Sequence, residues 1–213
     1  MVVRGVGGHG SAPDRAKDPV PVACEIVLAY QSAVTRQFSV WDPVVLTVGR
    51  IAAGTKDNII PDDAFVDATL RTFSAENRAR AHDVVTRVAE HVAQAHGMTA
   101  EVTIGNGYPV TVNDVDEFAF SQGVVVDLFG ADRWVDMANP EAGSEDMSFV
   151  LDEVPGAYLN VSACAFPDVA DAEDNHSPRA AFDDSVVPDI AAALAEMALR
   201  RTRELSRGVV ADA

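Results

Sequence analysis

"PVVLTVGRIAAGTKDNIIPDDAFVDATLRTF", residues 43–73, places two strand-like runs on either side of a turn. Residues 43–53 are apolar and β-branched, bounded by Pro43 and Gly54, and read as a strand. Residues 64–73 alternate in polarity, as a half-buried strand does. "TKDNIIPDDA" between them is turn chemistry. Working outward, Asp18-Pro19 starts a helix, with Asp as N-cap and Pro at the first helical position. Val22, Ile26, Ala29, Ala33 and Val34 then recur at helical spacing to about Gln37. On the other side, Ser74 opens a second helix over about 75–96, and Gly97 closes it. Residues 1–8 (MVVRGVGG) read as a first strand that starts abruptly, and 99–105 (TAEVTIG) as a fourth. The order over 1–107 is β-α-β-β-α-β, the ferredoxin-like pattern of two helices on one face of a four-stranded antiparallel sheet.

The character changes at "GNGYPVTVND" (105–114), which sets a domain boundary between 107 and 108. A helix is expected at about 114–129, stopped by Gly130, and a last one at about 185–205. "RWVDM" and "GAYLNVSA" are expected to be short strands. Two strands and two helices make a poor domain, so 108–213 reads as the last third of a larger α/β sheet.

Composition excludes several function classes. The 16 basic residues face 33 acidic ones, a net charge of −17, and no Lys/Arg-rich block exists. Nucleic-acid and anionic-membrane partners both need a positive surface, so neither is expected. Hydrophobic content of 48% is enough for a core. Cys24 and Cys164 form no CxxC pattern or disulfide framework. No signal peptide is visible and no apolar run approaches the roughly 18–20 residues of a membrane span, so the expected location is the cytoplasm.

Chemistry concentrates in two loops. His9 lies in "GGHGSAP" and His176 in "EDNHSPRAAFDD", each in a loop among Gly, Ser and Pro, and His176 also has carboxylate neighbours that can orient an imidazole. His82, His91 and His96 are spaced by 9 and 5 on one helix, which puts no pair on one face for chelation. Glu141 and Glu145, in "NPEAGSEDMSF", are the nearest candidate partners for His176, but they are not the adjacent carboxylate pair of a bridged two-metal site. No G-x-S-x-G elbow surrounds Ser11, Ser144 or Ser177, and Cys164 reads as buried. "GVGGHG" lacks the spacing and the lysine of a phosphate loop.

The ordered set "GGHGSAP" (7–13), "DPV" (18–20), "GTKDNIIPDDA" (54–64), "LRTF" (70–73), "YPVTVND" (108–114), "GSEDMSF" (143–149) and "HSPRAAFDD" (176–184) resembles the zinc amidohydrolase/carboxypeptidase family of hippurate hydrolases, aminoacylases and auxin-conjugate hydrolases. Asp14, where many relatives have His, and the acidic "DVADAEDN" before His176 depart from that pattern. The resemblance implies a ferredoxin-like lid that forms the dimer, followed by a C-terminal portion of an α/β zinc-hydrolase catalytic domain. It implies hydrolysis of N-acyl amino acids with two zinc or other divalent ions per site.

By the same resemblance, His9 acts in trans as the lid histidine that stabilises an oxyanion in the partner subunit's site. Asn58 and Arg71 bind substrate, Gly143, Ser144 and Glu145 line the pocket, and His176 is a metal ligand. The remaining ligands and the general base belong to an upstream half, so residues 1–213 alone are expected to be an N-terminally truncated, inactive form. A non-catalytic dimerisation module is the alternative, and a split enzyme completed by a second gene product is a third reading.

Overall fold

The computed structural model describes residues 1–211. The chain forms two compact units: Met1–Val110 with Glu141–Ser144, and Thr111–Pro140 with the residues from Glu145 onward.

In the first unit β1 (Val2–Arg4) is followed by the two-residue strand β2 (Gly8–His9), helix α1 (Pro19–Gln37), β3 (Val44–Ala53), a second two-residue strand β4 (Ile59–Ile60), β5 (Asp63–Thr72), α2 (Ala75–Ala95) and β6 (Thr99–Glu101). The long strands form one antiparallel sheet in the order β3-β5-β1-β6. Val3 is central in register, opposite Ala64 on one side and Ala100 on the other. The expected β-α-β-β-α-β order is present, with β2 and β4 as an added ribbon. β6 stops at Glu101 rather than residue 105, because its one ladder partner among the described residues, β1, is three residues long.

Both helices begin where the sequence dictates. The Asp18 side chain accepts the Val20 N–H at 3.0 Å, with Pro19 as the first helical residue. The Ser74 hydroxyl accepts the Asn77 N–H at 3.1 Å and donates to Asp42 at 2.7 Å. Gly97, at φ +66°, ends α2, and the Lys17 Nζ donates to the Gly97 carbonyl at 2.7 Å. One sheet face carries the helices. Val44, Leu46, Ala64 and Val66 are buried, with Val22, Ala23, Ile26 and Tyr30 of α1 and Val85, Ala89 and Ala93 of α2. The intervening Val45 and Phe65 point to the other face, which is open. On the surface, Arg4 bonds Glu101 at 3.0 Å and holds that carboxyl below its usual range.

Tyr30 shows what the core does to an ionisable group. Its hydroxyl donates to the Met1 sulfur at 3.3 Å, and burial pushes the phenol up to about 12. The folded value lies above the ordinary value of about 10. The native state therefore keeps a proton that the unfolded chain releases. This contribution to stability is complete below about pH 10 and is lost as pH rises toward 12. In an alkaline titration followed by phenolate absorbance, a late-ionising tyrosine is expected in the folded chain. Denaturant and Tyr30→Phe should each abolish that phase; its survival in Tyr30→Phe would refute the assignment.

The second unit is helical: α3 (Val115–Phe129), α4 (Met147–Glu153) and α5 (Val187–Ala211). Asp114 caps α3 by accepting the N–H groups of Asp116 and Glu117, both at 3.0 Å. Arg201 stacks 4.0 Å over the Phe120 ring and bonds Glu117 at 2.8 Å, joining α3 to α5. Two expectations fail here. "RWVDM" and "GAYLNVSA" form no strands, although Trp134 is extended (φ −111°, ψ 127°), because a strand needs a ladder and neither stretch finds one among the described residues. Tyr158 is instead held by the Asn113 side chain, which accepts its N–H at 2.7 Å and donates to its carbonyl at 3.2 Å. The other failure is α4, a helix the sequence reading omits; the Ser148 hydroxyl, fully buried, donates to the Glu145 carbonyl at its start. Large apolar side chains stay exposed on this unit, Leu194 and Leu199 by 62% and 52%. No helix among the described residues is long and apolar enough to cross a membrane.

Candidate functional site

The ribbon of β2 and β4 is the place where sequence-nominated residues meet. Gly8 pairs with Ile60 and His9 with Ile59, and the Gly10 N–H donates to the Asn58 carbonyl at 2.9 Å. His9 and Asn58, 49 positions apart in sequence, are thereby neighbours across one small ladder, both exposed. His9 belongs to a strand here, not to the loop its Gly-rich neighbours imply.

The glycines explain themselves by close approach. A Cβ at Gly10 would lie 3.2 Å from the Asn58 carbonyl oxygen, and one at Gly7 would lie 2.8 Å from that of Ile60. A Cβ at Gly5 would come within 2.1 Å of the Lys17 carbonyl oxygen. That carbonyl is engaged: Val6 and Lys17 exchange backbone bonds at 2.9 and 2.8 Å. Asp62 grips the same segment twice. Its carbonyl accepts the Gly5 N–H and its carboxylate the Gly7 N–H, each at 2.8 Å. In the sequence, Asp62 reads as a turn residue only. The position of a carboxylate just after Ile-Ile-Pro was the available signal, and it carries no distance information.

The His9 ring is bound through Nδ1, which lies 3.2 Å from the Ser11 amide nitrogen and 2.7 Å from the Ser11 hydroxyl. From sequence, Ser11 lacks a nucleophile elbow, and nothing in its spacing ties it to His9. Along the exposed sheet face an open groove of about 380 Å³ is lined by Arg50, Ala52, Ile59, Pro61, Asp63 and Phe65.

Arg71 is elsewhere. It sits near the far end of β5, opposite Val45, eight residues and roughly 26 Å of strand from Asp63. Its guanidinium donates to the Ala142 carbonyl at 3.0 Å, which brings it against the stretch holding Gly143 and Ser144. Arg71 and Gly143–Ser144 thus form a second group, separate along the strand from His9 and Asn58. Glu145 lies just before α4 in the second unit, exposed.

His176 lies in an exposed turn of the second unit. Its N–H donates to Asp174 at 3.0 Å, and Glu173 is occupied by Arg179 (Nε to carboxylate, 2.8 Å) and by the Ser177 hydroxyl at 3.3 Å. The acidic neighbours are therefore spent on shaping the turn. Among the described residues no three His, Cys, Asp or Glu side chains come together to hold a metal ion. The residues present do not fit a two-metal centre on their own. Cys24 and Cys164 are free thiols, and Cys164 is half-buried.

Comparison with known proteins places this geometry in context. Residues 1–107 match the family model of the M20 peptidase dimerisation domain. Thermostable carboxypeptidase 2 of Saccharolobus solfataricus is 33% identical over 94% of this chain and 50% of its own length. Hippurate hydrolase of Campylobacter jejuni is 30% identical over 93% of this chain and 50% of its own length. A Bacillus subtilis structure described as a dinuclear metal binding peptidase from the M20 family superposes with a TM-score of 0.70 at 24% identity, covering 92% of this chain and 47% of that one. The chain spans about half the length of the curated relatives it matches.

Proposed function

From the premise that this chain belongs to the M20 peptidase family through its dimerisation domain, we propose that it supplies the dimerising lid and the C-terminal catalytic segment of a metal-dependent amidohydrolase acting on N-acyl amino acids. The division runs between residues 107 and 108. The observation that carries the reading is the β2–β4 ribbon, which pairs His9 with Ile59 and bonds the next residue, Gly10, to the Asn58 carbonyl, making His9 and Asn58 backbone neighbours in an exposed segment.

In this reading two copies associate through the lid, and each His9 serves its partner's site. An imidazole N–H there donates to the carbonyl oxygen as negative charge develops on it, which is where a donor accelerates amide cleavage. Asn58, one ladder step away, holds the substrate carboxylate. Arg71 fixes the stretch carrying Gly143 and Ser144, and with Glu145 these border the substrate pocket. His176 is one ligand of a pair of zinc or other divalent ions. The other ligands are not assembled by these residues, so residues 1–213 by themselves are proposed to be inactive. The exposed Leu194 and Leu199 support a second unit made to pack against further structure. Two free thiols fit a reducing, cytoplasmic setting.

The lack of a three-ligand cluster among the described residues favours one other reading, a dimerisation module without catalysis. The test is to purify the chain and measure its mass in solution, its zinc content and its turnover of hippurate and N-acetyl amino acids. A dimer with neither tight metal nor turnover is expected. Adding a relative's upstream half should then restore hydrolysis, and His9→Gln should lower it; a well-folded, metal-loaded hybrid without turnover would leave the module reading. Two metals per chain with turnover would overturn the proposed inactivity of residues 1–213.

A further inference from the structure

We propose that Ser11 is a positioning residue that holds the His9 ring as its Nε2–H tautomer, with the Nε2 proton directed away from the loop. The significance of this for catalysis rests on the role given to His9 above; the geometry does not.

His9 is exposed, so packing does not fix its ring. The backbone does. The Ala12 N–H donates to the His9 carbonyl at 2.8 Å, closing a β-turn over His9–Ala12. The Gly10 N–H, bonded to the Asn58 carbonyl at 2.9 Å, ties that turn to the ribbon. In this turn the Ser11 amide faces back to the histidine side chain, and Nδ1 lies 3.2 Å from it. A backbone amide can only donate. Nδ1 must therefore present its lone pair, and a proton there would set N–H against N–H. The Ser11 hydroxyl, 2.7 Å from the same atom, is then a second donor. A neutral ring has one proton, which is left on Nε2.

The result is an imidazole whose proton location and ring plane are both set by a residue two positions away. For a group that must donate to a developing oxyanion, this arrangement removes the wrong tautomer and limits rotation before substrate arrives. Ser11→Ala deletes the stronger donor and leaves the amide in place. Ser11→Thr keeps the hydroxyl.

The experiment is long-range ¹H–¹⁵N correlation on the labelled chain, about two pH units above the ordinary histidine pKa of about 6.5, with His9 assigned by the signals lost in His9→Gln. Wild type should show a bare Nδ1 and a protonated Nε2 with widely separated nitrogen shifts. Ser11→Ala should narrow that separation as the two tautomers begin to average, and Ser11→Thr should restore it. A wild-type His9 protonated on Nδ1, or a Ser11→Ala spectrum identical to wild type at His9, would overturn the proposal. Should Ser11→Ala fail to fold, the wild-type and Ser11→Thr spectra decide alone. Neither readout involves hydrolysis, so a fixed tautomer in a protein whose activity ignores His9 would remove the functional reading and leave Ser11's action intact.

Discussion

Alanine at position 5 is expected to destabilise the first unit by about 4 kcal/mol or more, the scale reached when a substitution forces backbone to move. The added methyl would lie 2.1 Å from the Lys17 carbonyl oxygen and 2.9 Å from Pro19 Cδ. Neither is the loose end of a side chain. Relief requires separating Val6 from Lys17, which breaks their paired bonds and shifts the entry to α1, where Asp18 and Pro19 define the first turn. The same bridge closes the segment 7–16 that carries His9 on β2. Equilibrium denaturation by urea, followed by circular dichroism, measures the loss, and the His9 imidazole signals report the displacement. A Gly5→Ala protein with the wild-type midpoint would show that the 5–17 contact is not held as described.

Ile26→Ala is expected to cost about 2–5 kcal/mol, by loss of transfer free energy and by the cavity left behind. Ile26 is fully buried on α1, in one cluster with Val3 and Val66 of the sheet and Val85 and Ala89 of α2. That cluster draws on the sheet and both helices, so filling the space left at Ile26 requires one of them to move. Ile26→Val, which removes one methyl group, should cost about 0.5–1.5 kcal/mol. The graded pair separates packing from any effect on helix formation, since valine lowers helix propensity and alanine raises it. If the alanine variant proved the more stable of the two, Ile26 would not be the keystone of this core.

The fold of the first unit was legible because its signals are local and redundant. Asp18-Pro19 and Ser74 name helix starts, Gly97 names a stop, and the alternation across residues 43–73 survives as the paired β3 and β5. The ribbon was not legible, since two-residue strands have no period to detect; Ile59-Ile60 inside turn chemistry looks like turn. The second unit misled for a different reason. "RWVDM" and "GAYLNVSA" carry strand composition, but pairing is a property of two segments, and sequence composition describes one.

The candidate site divides in the same way. Resemblance nominated His9 and Asn58 separately, and only the ladder made them neighbours. It nominated Arg71 as a contact for substrate, and the structure adds a bond to Ala142 that no spacing could announce. His176 stays alone because its nearby carboxylates are engaged within their own turn.

The bond from Lys17 to the end of α2 has a practical side. This protein writes its positive charge almost wholly in arginine, and Lys17 and Lys56 are its two lysines. The Lys17 ammonium is engaged with the Gly97 carbonyl. Lys56 stands exposed in the turn two residues before Asn58. Reagents that acylate side-chain amines therefore have one of their two targets beside the ribbon. A biotin, dye or resin attached by that chemistry sits on the edge where His9 and Asn58 are presented, so a sample labelled through its lysines is also a sample masked there. Thiol coupling at the exposed Cys24, on α1, leaves that edge untouched.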